Sequence, residues 1–330
     1  MSISDLLASI KNGRIVNKDD AVTLLNINYQ NDDFYKLLST ANYLSRTEYN
    51  NQGLVFAQIG INAEPCSINC NFCSMGQGHY SLPVTGRKNI DEILLELELL
   101  IANNINDFFL MTTADYPVND FIDIAKIVRK HLPDNIRFVA NIGDFNYETA
   151  KKLKEIGFTG AYHINRLREG IDTTIKPEIR INTLNAIHDA GLELYYCVEP
   201  IGPEHSYDEL ATEMIRARDY DVKVMAVMRR IPVKGTPLYD KGQITAIELS
   251  KIAAVARLVT RPKRAMNAHE VTQMTLLAGV NQLYAEYGAN PRDTESQTEK
   301  NRGFSVEQAW NMLWEAGYGS EDSNKNKTRT

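Results

Sequence analysis

Short apolar runs alternate with longer amphipathic stretches along most of the chain. The short runs are rich in β-branched and aromatic residues, as in LVFAQIGI at 54–61 and IRFVANI at 136–142, and predict strands. The longer stretches, such as NIDEILLELELLIANN, repeat apolar residues every three to four positions and predict helices that cover a sheet face. Strands are predicted at 54–61, 107–113, 136–142, 160–164, 193–199, 223–230, 263–268 and 280–286.

This alternation is typical of parallel βαβ units and of the α/β fold class. Eight units in a chain of 330 residues fit a (βα)8 TIM-type barrel, complete or nearly complete, better than an open doubly wound sheet, and six units would give a partial barrel. Apolar residues at helical spacing before residue 50 predict an N-terminal helical cap. We therefore expect a helical segment at 1–50, the barrel at 51–290, and a C-terminal lid or helix with a disordered tail at 291–330.

Composition and charge narrow the class of partner. The net charge is -6 and the sequence has no long basic stretch, which argues against nucleic-acid binding and for a small-molecule substrate. The sequence shows no apolar run of membrane-spanning length, and its first residues lack the pattern of a secretory signal. We expect a cytoplasmic protein that contacts no membrane.

One segment concentrates the candidate chemistry. Three of the four cysteines, Cys66, Cys70 and Cys73, lie in CSINCNFC directly after the first predicted strand. In a reducing compartment this grouping indicates a metal or redox site and not a disulfide framework. Three thiolates can hold three irons of a 4Fe-4S cube and leave the fourth iron open. A zinc site is the alternative, and it would need a fourth ligand, for which His79 is available.

The spacing CxxxCxxC, with Phe72 just before the third cysteine, resembles the motif of the radical S-adenosylmethionine (SAM) superfamily. From Leu54 to about Tyr287 the chain is similar to the biotin synthase branch, which also holds the iron-hydrogenase maturase and methylornithine synthase; RINTLNAIHDAGLEL and LAGVNQLYAEYG carry part of this likeness. The resemblance implies two cofactors, a 4Fe-4S cluster and SAM, with the three cysteines as cluster ligands. It also implies an electron donor such as flavodoxin or ferredoxin, and a 5'-deoxyadenosyl radical that abstracts hydrogen from the substrate.

The same resemblance suggests residues that bind the SAM cofactor. Arg180 stands where biotin synthases carry an arginine that contacts the cofactor carboxylate, although an arginine on an exposed helix face needs no such role. Asn165 and Glu169 follow the fourth predicted strand, where the branch binds the ribose. Segments after the second and fifth strands correspond to those that contact the amine and the adenine, and the candidates there are Thr113, Ile201 and Gly202.

The resemblance does not extend to the chemistry of sulfur insertion. Biotin synthase uses a second cluster held by three further cysteines and an arginine; Arg264 matches that arginine, but other residues stand at the cysteine positions. Cys197 lies two places from one of these positions on the same predicted strand face, and it is a candidate to act on the substrate. The alternative is a small, buried apolar side chain. One cysteine cannot anchor a second cluster, so the chain resembles more closely the members that cleave or rearrange a small molecule.

Polar residues near the ends of the predicted strands are candidates for binding that molecule. Arg230 and Arg264 would suit a substrate carboxylate, with ion pairing inside the barrel as the alternative. His269 and Glu270 are candidates for moving protons or orienting the substrate. The loop at 288–304 is expected either to close over the mouth as a lid or to be a plain surface loop. The remaining substrate-binding candidates are Asn141, Asn267 and, in that loop, Arg292.

Three hypotheses cover these observations. The first is a radical enzyme that starts the rearrangement or fragmentation of a small, carboxylate-bearing metabolite. The second is sulfur insertion of the biotin synthase or lipoyl synthase type, with a partner protein that supplies sulfur. The third is a non-enzymatic iron-sulfur scaffold, which would not cleave SAM.

Overall fold

A computed structural model describes residues 1–80, 82, 85–269, 272–286 and 304–319, without the side chain of Glu286. At its centre, eight parallel strands of these residues close into a barrel, and they follow one another around the barrel in chain order. Each predicted strand is confirmed, with bounds that differ by a few residues. The barrel strands are β1 (Leu54–Gly60), β4 (Asp107–Met111), β5 (Arg137–Asn141), β6 (Gly160–Tyr162), β7 (Glu193–Ile201), β8 (Val224–Arg229), β9 (Ala265–His269) and β10 (Gln282–Glu286).

Helices follow the barrel strands, and a small antiparallel hairpin, β2 (Asn62–Ala63) with β3 (Gly86–Arg87), flanks the loop after β1. Three helices precede the barrel: α1 (Ile3–Lys11), α2 (Lys18–Leu25) and α3 (Asp32–Glu48). The others are α4 (Ile90–Ala102), α5 (Val118–His131), α6 (Tyr147–Ile156), α7 (Pro177–Asp189), α8 (Tyr207–Asp219), α9 (Ala246–Thr260), α10 (Gln273–Leu276) and α11 (Val306–Glu315). The predicted (βα)8 barrel is therefore confirmed.

Local sequence signals fix where the helices after each strand begin and end. The side chain of Asn89 caps the backbone of Glu92 at the start of α4, and the Glu92 carboxylate bonds back to the Asn89 backbone. Ser206 and Glu209 repeat this reciprocal arrangement at the start of α8. Gly157 ends α6 in the left-handed region, at φ +108°, which glycine adopts without strain. These caps fix the lengths of the loops between strands and helices.

The barrel interior is packed at its amino end and closed there by charged pairs. Alternate strand residues point inward. The part of the interior near the amino end is filled by a cluster of Phe56, Phe109, Val139, Tyr195 and Val224. At the first residues of the strands, Asp107 accepts a hydrogen bond from Arg264 Nη2 at 2.6 Å and another from Gln282 Nε2 at 2.7 Å. An ion pair between Arg137 and Glu193 lies on the same end. Any site for small molecules must therefore open at the carboxyl end.

The terminal helices pack on the outside of the barrel. Helix α3 contacts α9, and α2 contacts α8 and α9. The fully buried Arg257 of α9 donates to Ser45 Oγ at 2.8 Å and to the Glu48 carboxylate at 2.5 Å. Helix α11 packs against β1 and β10. In the described part of the chain, no helix combines the length and the apolar character that crossing a bilayer requires.

Candidate active site at the carboxyl end of the barrel

The cysteine loop, defined here as residues 64–80, follows β1 at the carboxyl end of the barrel and is held there by three neighbouring loops. The Asp115 carboxylate accepts hydrogen bonds from both the backbone N and the Oγ of Ser67, each at 2.5 Å. Asn71 N donates to Asp172 O at 2.8 Å, and Asn71 O accepts from Leu238 N at 3.0 Å. The loops after β4, β6 and β8 therefore fix the position of the cysteine loop.

Hydrogen bonds inside the cysteine loop hold the cysteines in one conformation. Cys66 N donates to Met75 O at 2.7 Å, and Cys73 N donates to Cys70 O at 3.0 Å. His79 Nε2 lies 3.1 Å from Cys70 O and 2.9 Å from Cys73 O. Because both of these neighbours are acceptors, Nε2 must carry the proton and donate. This nitrogen braces the loop backbone, so the structure does not use it as the fourth ligand that a zinc site would need.

All three loop cysteines line one cavity that runs from the mouth of the barrel toward its floor. Cys70 is buried, while Cys66 and Cys73 are partly exposed. Burial raises the pKa of Cys70 to about 12, although the nearby Arg166 guanidinium acts in the opposite direction. The thiols thus lie at the boundary between solvent and the barrel interior, where they can act on a molecule enclosed below them.

Arg180, at the start of α7, is the centre of a buried ionic network. Its Nε donates to Glu169 Oε2 at 3.0 Å and its Nη1 donates to Asp144 Oδ2 at 2.7 Å. His163 Nε2 lies 3.1 Å from the other oxygen of Asp144, and burial lowers the pKa of His163 below its ordinary value of 6.5. The imidazole is therefore neutral at pH 7. These contacts hold the Arg180 guanidinium in one orientation at the cavity wall.

Arg166 is a second cation of the cavity, partly buried, and the sequence analysis did not identify it. Its Nε lies 3.5 Å from Glu199 Oε1 and has no hydrogen-bond partner among the described residues. Burial alone would lower the pKa of Arg166, but the charges of Cys70, Glu199 and Glu169 raise it above the ordinary value. Arg166 is thus a permanent positive charge beside the cysteine loop.

Stacked aromatic rings form one wall of the same cavity. The ring of Phe56 lies 4.7 Å from that of Phe109 and 4.9 Å from that of Tyr284, measured between centroids. His269 stacks on Tyr284 at 5.3 Å. Sequence reasoning singled out only His269 from this group. Strand alternation in the predicted strand at 280–286 would have placed residue 284 beside residue 282 on one face.

No family model matches the chain. The chain is 27% identical over 260 residues to the biotin synthase of Acetivibrio thermocellus, a match that covers 75% of this chain and 78% of that protein. It is also 27% identical over 302 residues to the biotin synthase of Pelotomaculum thermopropionicum, covering 85% and 91% of the two chains. These matches support a radical SAM enzyme of the biotin synthase-like type.

Two solved structures share the fold. Methylornithine synthase superposes on this radical SAM enzyme with a TM-score of 0.82 at 17% identity, covering 98% of both chains. A maturase of the FeFe-hydrogenase superposes with a TM-score of 0.79 at 17% identity, covering 96% of this chain and 75% of the maturase. Both likenesses support the barrel architecture with its N-terminal helices.

The cofactors of this radical SAM enzyme are a 4Fe-4S cluster and SAM. The donor set at the mouth fits the cluster, because three thiols, which are the ligands that iron-sulfur clusters use, line one cavity. Among the described residues, no three His, Cys, Asp or Glu side chains converge on a point that could hold a single metal ion. The thiolates of a 4Fe-4S cube each bind a different iron and need not converge in this way.

The candidates for SAM binding in this radical SAM enzyme divide into two groups. Arg180 and Thr113 line the cavity, and the backbone N of Thr113 donates to Asn62 Oδ1 at 2.9 Å. The other four are buried behind the lining: Asn165, Glu169, Ile201 and Gly202. A Cβ atom at Gly202 would lie 2.4 Å from Arg230 Nη1, so this position needs glycine for close packing of the arginine. These four residues can contribute to SAM binding by positioning Arg180 and Thr113, or after a small shift that brings them to the cavity.

The substrate candidates divide in a similar way. Asn141, Asn267, His269 and Arg230 line the cavity, but the Arg230 guanidinium forms an ion pair with Glu204 and donates to Gly242 O at 2.9 Å. Ion pairing, the alternative for this arginine, is therefore what the structure shows. Glu270, Arg292 and the loop at 288–303 lie outside the described residues.

Two further candidates require correction. Arg264 immediately precedes β9 at the amino end of the barrel, where it binds the buried Asp107, and it is not among the residues that line the cavity. Cys197 is fully buried and is also absent from the lining; burial raises the pKa of its thiol well above the ordinary value. A neutral thiol enclosed by protein matches the alternative of a small, buried apolar side chain.

Gly76→Ala is expected to loosen the cysteine loop. A Cβ at residue 76 would lie 2.5 Å from His79 Cε1, so the imidazole would have to leave the carbonyl oxygens that it bonds. We expect a local loss of about 1–3 kcal/mol and faster loss of iron from the reconstituted enzyme to a chelator. Gly86→Ala is the matched control, because nothing lies within 4 Å of a Cβ there. Equal rates of iron loss in the two variants would contradict this view of the loop.

Proposed function

We propose that this enzyme binds its cluster through Cys66, Cys70 and Cys73 and produces a radical that abstracts hydrogen from a small metabolite. This step starts a rearrangement or fragmentation of the metabolite. The observation that carries the proposal is that the three thiols line the same cavity as Arg180 and Asn267. Cluster, nucleotide and substrate can therefore be brought together in one enclosed space.

The cysteine loop supplies the cluster ligands in this proposal. Soft thiolate ligands suit iron, and three of them leave one iron of a 4Fe-4S cube without a protein ligand. The hydrogen bonds that Asp115 accepts from Ser67 and that His79 donates to Cys73 hold the loop before any cofactor arrives. A loop ordered in advance loses little conformational entropy when the cluster binds.

Arg180 is the residue that we assign to the SAM carboxylate. Glu169 and Asp144 neutralise and orient its guanidinium, and they act as positioning residues. Asn165 donates from Nδ2 to Glu213 Oε1 at 3.1 Å, while its Oδ1 has no partner among the described residues. A ribose hydroxyl could donate to this oxygen after a small shift. Thr113, Ile201 and Gly202 remain proposals for the walls of the nucleotide site.

The protein's own contribution to the reaction is to bind, to orient and to exclude water. When bound and reduced, the cluster and SAM supply a 5'-deoxyadenosyl radical. The aromatic wall of Phe56, Phe109 and Tyr284 keeps water from the interior, which protects a reactive species from side reactions. Asn141, Asn267 and His269 offer the polar contacts that fix one hydrogen of the substrate toward the nucleotide. We further propose flavodoxin or ferredoxin as the electron donor.

The test of this function is the formation of 5'-deoxyadenosine. Enzyme reconstituted anaerobically with iron and sulfide should contain about four irons per chain and should release 5'-deoxyadenosine from SAM when dithionite is added. Incubation with deuterated candidate metabolites should transfer deuterium into 5'-deoxyadenosine only when the true substrate is present. A reconstituted, reduced enzyme that leaves SAM intact would instead support a non-enzymatic scaffold.

Sulfur insertion is the second candidate, because the matched relatives include biotin synthases. It predicts a second cluster and therefore an iron content clearly above about four per chain. The whole sequence has one cysteine beyond the loop, Cys197, which is fully buried and is not among the residues that line the cavity. Sulfur would then have to come from a partner protein. A sulfur-containing product formed when such a partner is added would favour this candidate over the first.

A further inference from the structure

We propose that the floor of the cavity binds a neutral hydrogen-bond donor of the substrate, such as a hydroxyl or a primary amide. The floor is defined here as Asn267, Gln282 and Tyr195. This inference rests on the proposed function, because it describes the substrate of the same site. The observation behind it is that these three residues line the cavity and that each carries a buried polar atom with no hydrogen-bond partner among the described residues.

The two floor amides are fixed in orientation by partners that can only accept. Asn267 Nδ2 donates to the backbone oxygen of Gln282 at 2.9 Å, and Gln282 Nε2 donates to the Asp107 carboxylate at 2.7 Å. Exchanging the nitrogen and oxygen of either amide would bring two acceptors together. Asn267 Oδ1 and Gln282 Oε1 are therefore the atoms left without partners, and both are acceptors.

These acceptor atoms are enclosed by neighbouring side chains, so a ligand in the cavity reaches them after a small shift of the two amides. The exposed fraction of Asn267 is 1% and that of Gln282 is 0%. The two residues are neighbours in the β9–β10 register, so their side chains lie on the same part of the barrel interior. The hydroxyl of Tyr195 is also buried; it lies beside the Arg137 guanidinium but forms no hydrogen bond of good geometry with a described residue. Unsatisfied buried acceptors are costly, and a ligand that donates to them recovers that free energy.

Charged groups suit the floor less well than neutral donors. A carboxylate at the floor would meet two carbonyl oxygens. The arginines that line the cavity are held away from these oxygens, because Arg166, Arg180 and Arg230 lie beside carboxylates and Arg229 donates to Ile244 O at 3.2 Å. An ammonium group would find acceptors but no free counter-charge, since the nearby Asp107 is bound by Arg264. Burying an uncompensated charge is far more costly than burying a neutral donor.

The wall above the floor indicates the rest of the ligand. The stacked rings of Phe56, Phe109 and Tyr284 rise beside the two amides, so the part of the substrate next to its donor group is apolar. We expect a substrate with a neutral polar end buried at the floor and its reacting carbon nearer to the mouth, where the cysteine loop lies.

Four small probes that share an aromatic body test this inference: benzamide, benzyl alcohol, benzoate and benzylamine. Their binding to reconstituted enzyme with SAM is measured by anaerobic equilibrium dialysis at pH 7. We expect benzamide and benzyl alcohol to bind about tenfold more tightly than benzoate and benzylamine. Equal binding of the four probes, or tighter binding of either charged probe, would overturn the inference without any variant being made.

Two variants locate the effect at the floor. Asn267→Leu and Gln282→Met should each reduce the preference for the neutral probes about fivefold or more. Gln58→Met is the matched control, because Gln58 also lines the cavity but belongs to β1 and not to the floor. Circular dichroism and thermal unfolding show whether each variant is folded. A folded Asn267→Leu enzyme with wild-type preference would place the donor site elsewhere and contradict the proposal.

The probe measurements and the assay for 5'-deoxyadenosine fail independently. Enzyme that cleaves SAM but binds all probes alike retains the proposed function and loses the inference about the floor. Enzyme that prefers the neutral probes but never cleaves SAM has the donor site without the proposed reaction, which removes the claim that the bound donor belongs to a substrate of radical chemistry.

Discussion

Replacing any one of Cys66, Cys70 and Cys73 with alanine is expected to abolish the formation of 5'-deoxyadenosine. Two remaining thiolates cannot hold a 4Fe-4S cube that already lacks a fourth protein ligand. The iron content after anaerobic reconstitution should fall well below about four per chain, and the visible absorption of the cluster should fall with it. Iron and sulfide analysis on the same samples that are assayed for SAM cleavage checks both expectations.

Cys197→Ala is the matched control, since it removes the fourth cysteine of the sequence by the same substitution. Cys197 is fully buried and does not line the cavity. We expect wild-type iron content and SAM cleavage, with a loss of unfolding free energy of about 1 kcal/mol from the small cavity that remains. If Cys197→Ala lost the cluster while a loop variant kept it, the assignment of the cluster ligands would be wrong.

The strands could be predicted from the sequence because a parallel barrel repeats one simple pattern. Each strand must present apolar residues to the helices outside, and each intervening helix must present an apolar stripe to the sheet. Runs such as that at 136–142 meet both requirements and match strand β5. The cysteine loop could also be predicted from the sequence, because its candidate cluster ligands lie in one short, continuous segment.

The position of an individual residue along its strand was harder to predict from the sequence. The predicted strand at 263–268 is observed as Ala265–His269, and this shift moves Arg264 out of the strand to the amino end of the barrel. A resemblance in sequence cannot detect such a shift, because it compares positions in order and not heights along the barrel axis. The partner of Arg264 is Asp107, which is 157 residues distant in the chain.

Buried networks of ion pairs and hydrogen bonds could not be predicted from the sequence either. Arg180 reaches Glu169 and Asp144 across separations of 11 and 36 residues, and these contacts depend on how α7 packs against two loops. Gln282 was missed because an amide within a predicted strand carries no signal that separates a site from a solvated edge. The structure distinguishes the two, because Gln282 donates to Asp107 and Asp107 is fully buried.

Arg264→Met is expected to destabilise the fold strongly while leaving the cavity chemistry intact. The Asp107 side chain is 0% exposed, and without Arg264 its carboxylate loses its ion-pair partner. Removing one partner of a buried ion pair costs about 3–5 kcal/mol. Urea unfolding at pH 7 should show this loss. The folded fraction should still cleave SAM at the wild-type rate, because Arg264 does not line the cavity.

Two comparisons isolate the buried charge as the cause. Lys263→Met removes the neighbouring ion pair with Asp221, which is exposed on both sides, and should cost less than about 1 kcal/mol. Adding Asp107→Asn to the Arg264→Met variant removes the unpaired charge and should restore much of the lost stability. If Arg264→Met instead kept wild-type stability and lost substrate turnover, the original expectation of a substrate contact would replace the structural role.

The pH dependence of the same variant provides an independent check. Burial raises the pKa of Asp107 above its ordinary value of 3.8, and Arg264 acts against this shift. Without Arg264 the folded-state pKa should rise further, so the folded state should bind more protons than the unfolded state from about pH 4 up to that raised pKa. Over this range the stability of the variant should fall as the pH rises. The gap between the variant and the wild type should therefore be widest near neutral pH and should narrow toward pH 4, and a gap independent of pH would show that packing, and not charge, dominates the loss.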